Sequence, residues 1–283
     1  MEELLFLSVF FTIGSKGGIG KSAVAQIICE YLRWLKIKLL LINTDSSNSY
    51  INNTKSLKAI LFSLMDAHHN NSPEAIPDMI TQFASEEHNL LFDIGSNTYQ
   101  AVYNFFAYDN GRESLEACGY KKIVLNVPIV SGSSYTECVE SAIELAEADP
   151  KIDIAVWLNN GINSNSDPLT YDDFKFSDLC LKYRNIKHIV ELPVCDPLRR
   201  KVVEKLNNNY LTMGDIADCN NKNLSKLSLG DRPASIVDKI IIQKYREQIF
   251  DSLKNSSEPL FPLKEVKDHF TELKEINKKF AGE

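Results

Sequence analysis

From Leu4 to Ile13 the chain is apolar, and a glycine-rich loop, "GSKGGIGKS", follows at once. Val24, Ile27, Ile28, Tyr31, Leu32 and Leu35 then recur on one helical face. A second apolar run, "IKLLLIN", occupies 37–43. Apolar strand, loop, amphipathic helix and apolar strand form a parallel βαβ unit with a right-handed crossover. The first run is too short to span a bilayer, which needs about 20 residues. Glu2 and Glu3 stand where a secretory signal carries positive charge, and no small-residue cleavage site precedes the loop. The run is therefore expected to be a strand buried on both faces.

The same rhythm continues. Ser72-Pro73 has the form of a helix start, with a cap followed by proline at the first helical position. "NLLFD" (89–93) reads as a strand ending on an acid, and "KIVLNVP" (122–128) as a strand stopped by proline. Ser134 and Glu137 have capping-box spacing for a helix running to about Ala148. "IDIAVWLN" (152–159) and "KHIVELP" (187–193) supply two more strands. Strands alternating with helices predict a doubly wound, mostly parallel α/β sheet flanked by helices. Its ligand belongs at the carboxyl ends of the strands. From about Asp231 strand signals stop, and "RPASIVDKIIIQKYREQIFDSL" reads as a long closing helix. Beyond Pro259 and Pro262, Leu263, Val266, Phe270, Leu273 and Ile276 share one side of a further helix. The expected organisation is one domain over 1–254 and a helical tail over 255–283 packed on it. The tail's lysines alternate with Glu265, Asp268, Glu272 and Glu275, so a membrane-surface role is not expected.

A net charge of −7 argues against a surface that grips nucleic acid all over, though not against a local basic patch. One such cluster is Arg199, Arg200, Lys201 and Lys205, which reads equally as a solvated helix face. No two of the six cysteines are spaced C-x-x-C, which gives neither a zinc ribbon nor a thioredoxin site. They read as reduced thiols in a cytoplasmic protein. His188 with Cys195, or His68-His69, could in principle contribute to a metal site, against plain core or loop roles.

The loop carries the chemistry. Gly17, Gly18 and Gly20 let the backbone curl, so that successive N–H groups from Gly17 through Ile19 to Ala23 can cradle phosphate oxygens. The helix that starts near Ser22 adds its positive dipole end. Lys21 can reach the β- and γ-phosphates, and the Ser22 hydroxyl can ligate Mg²⁺. Against the pattern G-x-x-x-x-G-K-[ST], the first glycine position falls on Ser15, and Lys16 is a second lysine.

"SKGGIGKS" resembles the deviant Walker A motif, K-G-G-x-G-K-[ST], of the ParA/MinD superfamily of P-loop ATPases. The resemblance implies a P-loop NTPase of the SIMIBI type, with ATP/ADP and Mg²⁺ as ligands. It also implies a homodimer formed on ATP binding, in which Lys16 reaches the phosphates of the other subunit. In "INTDSSN" it makes Asp45 the acid that orients or activates the attacking water; many relatives have another Asp where this chain has Asn43. In "LLFDIGSNT" it makes Asp93 the Walker B acid that holds Mg²⁺ through a water, with Gly95 and Ser96 opening the γ-phosphate sensor. The usual D-x-P-P is absent at this point. "NTDSSN", "FDIGSNTYQAVYNFF", "VPIVSG", "VWLNN", "ELPVCD" and "LTMGDIAD" resemble, in order and spacing, the conjugal-transfer TraL and plasmid-stability StbB branch. That branch suggests Asn159 as an adenine contact and a backbone contact near Pro193. It points to plasmid maintenance or conjugative transfer, with plasmid DNA or a DNA-binding protein as partner. Two other readings remain open: a non-hydrolysing nucleotide-bound adaptor, and a small-molecule ligase of the dethiobiotin synthetase type.

Overall fold

A computed structural model describes residues 7–45, 49–64, 74–85, 87–160, 168–175, 177–254, 256 and 260–261. Seven strands form one parallel sheet: β1 (Ser8–Thr12), β2 (Leu39–Asn43), β3 (Ile60–Leu61), β4 (Asn89–Asp93), β5 (Lys122–Ile129), β6 (Asp153–Asn159) and β7 (Ile186–Leu192). Their order is β3-β2-β4-β1-β5-β6-β7. A short antiparallel pair, β8 (Ser228–Leu229) and β9 (Arg232–Pro233), stands apart. The helices are α1 (Lys21–Trp34), α2 (Ser49–Asn53), α3 (Ala75–Phe83), α4 (Tyr99–Ala107), α5 (Gly111–Ala117) and α6 (Tyr135–Ala148). They continue with α7 (Tyr171–Lys175), α8 (Asp178–Lys182), α9 (Pro197–Asn208), α10 (Met213–Ala217), α11 (Asn221–Leu224) and α12 (Ile236–Lys254).

The first apolar run is the centre of the sheet. β1 pairs with β4 on one side and β5 on the other. Alternate residues feed two cores, as the pleat requires. Val9 and Phe11 face α3, α4 and α6, whereas Phe10 faces α1, α9, α10 and α12. The predicted face of α1 is the buried one: Val24, Ile27, Ile28, Tyr31 and Leu32 all lie in the second core. The doubly wound parallel sheet is thus what the chain forms.

Some local expectations are corrected. Proline does not stop the fifth strand, which runs through Pro128 to Ile129. The Asn126 carbonyl accepts from the Ile13 N–H, so alternate residues of β5 face β1. Pro128 has that orientation too, but β1 has already ended, and its missing N–H leaves no ladder bond unmade. The capping box at Ser134 is absent: a 3₁₀ turn over Gly132–Ser134 leads into α6, and the Glu137 carboxylate is engaged elsewhere. Strand structure also persists past Asp231, because Arg232 and Pro233 form β9. The closing helix starts only at Ile236, after Ser235 and Asp238 exchange hydrogen bonds at its N-terminus. At the other end of that helix, Leu260 and Phe261 are buried, and Phe261 packs on Phe10 and Tyr31. The expected helix start at Ser72-Pro73, His68-His69 and the tail from Pro262 onward lie outside the described residues.

Candidate functional site

The loop between β1 and α1 bends where only glycine is at ease. Gly18 and Gly20 have φ of 75° and 97°, in the left-handed region. Gly20 is the N-cap of α1 and supplies no side chain to it, so no cap side chain covers the first-turn amides. Lys21, the first residue of the helix, is buried, and its Nζ donates to the Lys16 carbonyl at 2.7 Å. Burial pushes its pKa down, and the nearby carboxylates of Asp93 and Asp45 oppose that shift.

β1 and β4 are neighbours in register, which sets Thr12 beside Asp93. The Thr12 hydroxyl donates to Asp93 Oδ1 at 3.0 Å. Asp93 is 1% exposed, and its Oδ2 is buried with no hydrogen-bond partner among the described residues. Burial raises its pKa to about 6, against the lowering influence of the Ser22 hydroxyl, Thr12 and Lys21. A hydroxyl beside a carboxylate with one uncommitted buried oxygen is a hard-oxygen donor set of the kind Mg²⁺ takes. Ser22 and Asp93 therefore fit that ion. Among the described residues no cluster of three His, Cys, Asp or Glu side chains could hold a metal, and His188 and Cys195 do not form one.

Asp45 follows the end of β2 and is half-buried. Thr44 ties this strand end to β4: its N–H and its hydroxyl donate to the Asp93 carbonyl at 2.9 Å and 3.1 Å, and its hydroxyl oxygen accepts from the Gly95 N–H at 3.3 Å. Gly95 lets Asp45 come close: a Cβ there would lie 3.2 Å from Asp45 Cβ. On the loop's other flank, a Cβ on Gly17 would lie 3.8 Å from Ser96 Oγ. The structure thus brings Lys21, Ser22, Asp45, Asp93, Gly95 and Ser96 to one end of the sheet.

Lys16 takes a different course. Its Nζ forms an ion pair with Glu137 on α6, 2.8 Å from Oε2 and 3.0 Å from Oε1, with both side chains about half exposed. Ser15, standing where the common pattern has glycine, uses its hydroxyl on Ser141 of the same helix at 2.6 Å. Ser141 in turn donates to the Glu137 carbonyl. Neither α6 contact was foreseen from sequence; only the serine at the glycine position marked the place.

Asn159 ends β6 and is buried, with Nδ2 donating to the Ile19 carbonyl at 3.0 Å. It lines a cavity of about 390 Å³ together with Ala23, Leu192, Cys195, Arg200 and Tyr245. Pro193 lies between two lining residues, Leu192 and Cys195, but is not one itself. The basic cluster on α9 is partly spent: Arg199 pairs with Asp196 at 2.9 Å and with Gln248 at 2.6 Å, and Arg200 turns to the cavity.

Two Escherichia coli proteins named TraL are similar to this chain, 27% identical over 154 residues and 24% over 152. The chain is similar to TraL, and its parallel sheet carries a glycine loop of the P-loop kind after the central strand. Each match covers 53% of the chain and 62% of the TraL protein, so less than two thirds of these relatives is spanned. No protein-family model matches the chain. Among solved structures, a ParA family ATPase from Chlorobium tepidum TLS is 15% identical, with 86% of this chain and 99% of that one covered, at a TM-score of 0.44. The MinD cell division protein of Aquifex aeolicus is 14% identical, with 85% and 96% covered, at 0.42. Those scores are low, and the doubly wound fold stands instead on the strand order and the loop after β1. No helix among the described residues is long and apolar enough to cross a membrane.

Proposed function

We propose that this chain binds and hydrolyses ATP as a nucleotide-switched homodimer acting in plasmid maintenance or conjugative DNA transfer. The observation that carries the reading is the meeting of Lys21, Ser22, Asp45 and Asp93 around one glycine loop at the carboxyl ends of β1, β2 and β4. Phosphoryl transfer asks little covalent chemistry of a protein; it asks for positioned donors and charge. The loop amides from Gly17 to Ala23 would hold the phosphates, and Lys21 would exchange the Lys16 carbonyl for a phosphate oxygen. Asp45 would orient the attacking water. Ser22 and Asp93 would hold Mg²⁺, which supplies charge neutralisation on the phosphate oxygens. The cavity beside Asn159 is lined by apolar residues such as Ile27, Leu192 and Ile249 together with polar Gln26 and Asn207, the mixture a base requires. Lys16 would leave Glu137 and reach the phosphates of the second subunit, where a triphosphate shielded from water needs added positive charge.

In this reading residues 1–254 form the ATPase domain, the protein works in the cytoplasm, and its partner is plasmid DNA or a DNA-binding protein. TraL relatedness supports the plasmid context. ATP calorimetry together with a phosphate-release assay, with and without DNA, tests it. Binding with phosphate release is the expected result. Tight binding without release would make the chain an adaptor. Release only in the presence of a small carboxylated or aminated substrate would make it a ligase.

A further inference from the structure

Asn43 occupies the position where the resemblance leads one to expect a carboxylate, and it is completely buried at the end of β2. Its amide is used three times. Oδ1 accepts the Asp45 N–H at 2.9 Å. Nδ2 donates to the Asp45 carbonyl at 3.0 Å and to Asn52 Oδ1, on α2, at 2.8 Å. One side chain thereby fixes both backbone groups of Asp45 and joins them to the helix that follows. Only an amide can do this. A carboxylate at position 43 could accept the Asp45 N–H, but it has no donor for the Asp45 carbonyl or for Asn52. It would also bury another negative charge near Asp93, whose own carboxyl already resists ionisation.

We infer that Asn43, seated by Asn52, is a positioning residue that sets Asp45 for its work on the attacking water. This rests on the reading of Asp45 given above. An acid that orients a water must be held to a fraction of an ångström, since a 1 Å displacement can cost about 100-fold in rate. Thr44 fixes the same strand end to β4, so Asp45 is held from two sides.

The test compares the full-length parent with Asn43→Asp, Asn43→Ala, Asn52→Leu, Asn52→Asp and Asp45→Ala. For each, ATP affinity is measured by calorimetry, kcat and KM by phosphate release, and stability by thermal melting. Asn43→Asp and Asn52→Leu are expected to lower kcat about 10- to 100-fold with ATP affinity unchanged. Asn52→Asp keeps the acceptor for Asn43 Nδ2 and should retain the parent's kcat. Hydrogen exchange at the Asp45 amide gives a readout apart from activity: faster in Asn43→Ala, which lacks the acceptor, and unchanged in Asn43→Asp, which keeps it. A purely structural role would instead make kcat follow the melting temperature across the series. If Asn43→Asp and Asn52→Leu turn over like the parent while Asp45→Ala is slow, the clamp is refuted and the role of Asp45 stands. If Asp45→Ala also turns over like the parent, the role of Asp45 fails and the clamp fails with it. A parent that binds ATP but releases no phosphate overturns both.

Discussion

Lys21 sits almost wholly out of water, its ammonium satisfied by a carbonyl of its own loop. Such a charge is poised to exchange one oxygen partner for another, and a phosphate is the stronger one. Lys21→Ala should therefore abolish ATP binding, and unchanged affinity by calorimetry would sink the P-loop assignment. Asp93 gives a pH signature. Its carboxyl titrates near 6 in the folded chain, above the usual aspartate value of about 3.9. Burial disfavours its charged form, so the destabilisation it brings at neutral pH is relieved progressively as pH falls from about 6 to the ordinary aspartate value of about 3.9. In the proposed site magnesium would need the carboxylate, so Mg²⁺-dependent nucleotide affinity should weaken as pH falls through about 6. Calorimetry with Mg²⁺ at pH 7.5 and 5.5 checks this, and Asp93→Asn should lose affinity at pH 7.5 and show no such weakening on acidification. The residues to which the proposal gives a chemistry of their own were legible in sequence: Lys21 and Ser22 stood out by motif, and Asp45 and Asp93 by their place at strand ends. Residues that act by holding others were not. Asn43 stood only as the place of an absent acid, and nothing in the sequence marked Asn52. Their partners lie up to nine residues away, in a geometry no periodicity encodes.

At the scale of elements, the junction of the loop with α6 is the feature that sequence reasoning misjudged. Ser134 and Glu137 had capping spacing, yet Glu137 serves Lys16, 121 residues distant in the chain. A charge pair between segments so far apart leaves no local pattern to read. Strands and long helices were legible because burial on one or both faces imposes a period; β3 and β9, two residues each, are too short to carry one. The Lys16–Glu137 pair is exposed, so it contributes about 0.2–1 kcal/mol at most. Glu137→Gln should then leave the melting temperature nearly unchanged. If Lys16 must abandon Glu137 to cross a subunit interface, the same substitution should strengthen ATP-dependent dimerisation, by up to about fivefold for each lysine released. Sedimentation with a non-hydrolysable ATP analogue measures it, and weaker dimerisation would show that Glu137 helps the interface instead.

For the whole molecule the decisive variant is Lys16→Ala. Lys16 is half-exposed in the single chain and is not needed there to hold the loop's backbone. Monomer affinity for ATP and ADP should hold, and the ATP-dependent dimer should fail. Truncating a lysine that meets phosphate in a water-poor interface costs about 2–5 kcal/mol, or roughly 30- to several thousand-fold in the dimerisation constant. An equally dimeric mutant by sedimentation would refute the sandwich arrangement.

The strand order also governs how the chain comes to its fold. β1 is synthesised first and lies at the centre, yet both its partners are distant: Thr12 meets Asp93 across 81 residues, and β5 comes later still. At about 5–20 residues per second on the ribosome, β1 waits roughly 4 to 16 s for its first neighbour. During that interval "SVFFT" is an apolar, β-prone segment with open edges, the kind that pairs with other chains. Closing so long a loop before any reward from pairing makes folding slow. The phosphate loop, hung on β1, can take its shape only after this delay. A nascent chain cut off before Asn89 would emerge with the glycine loop complete in sequence and nothing to hold it.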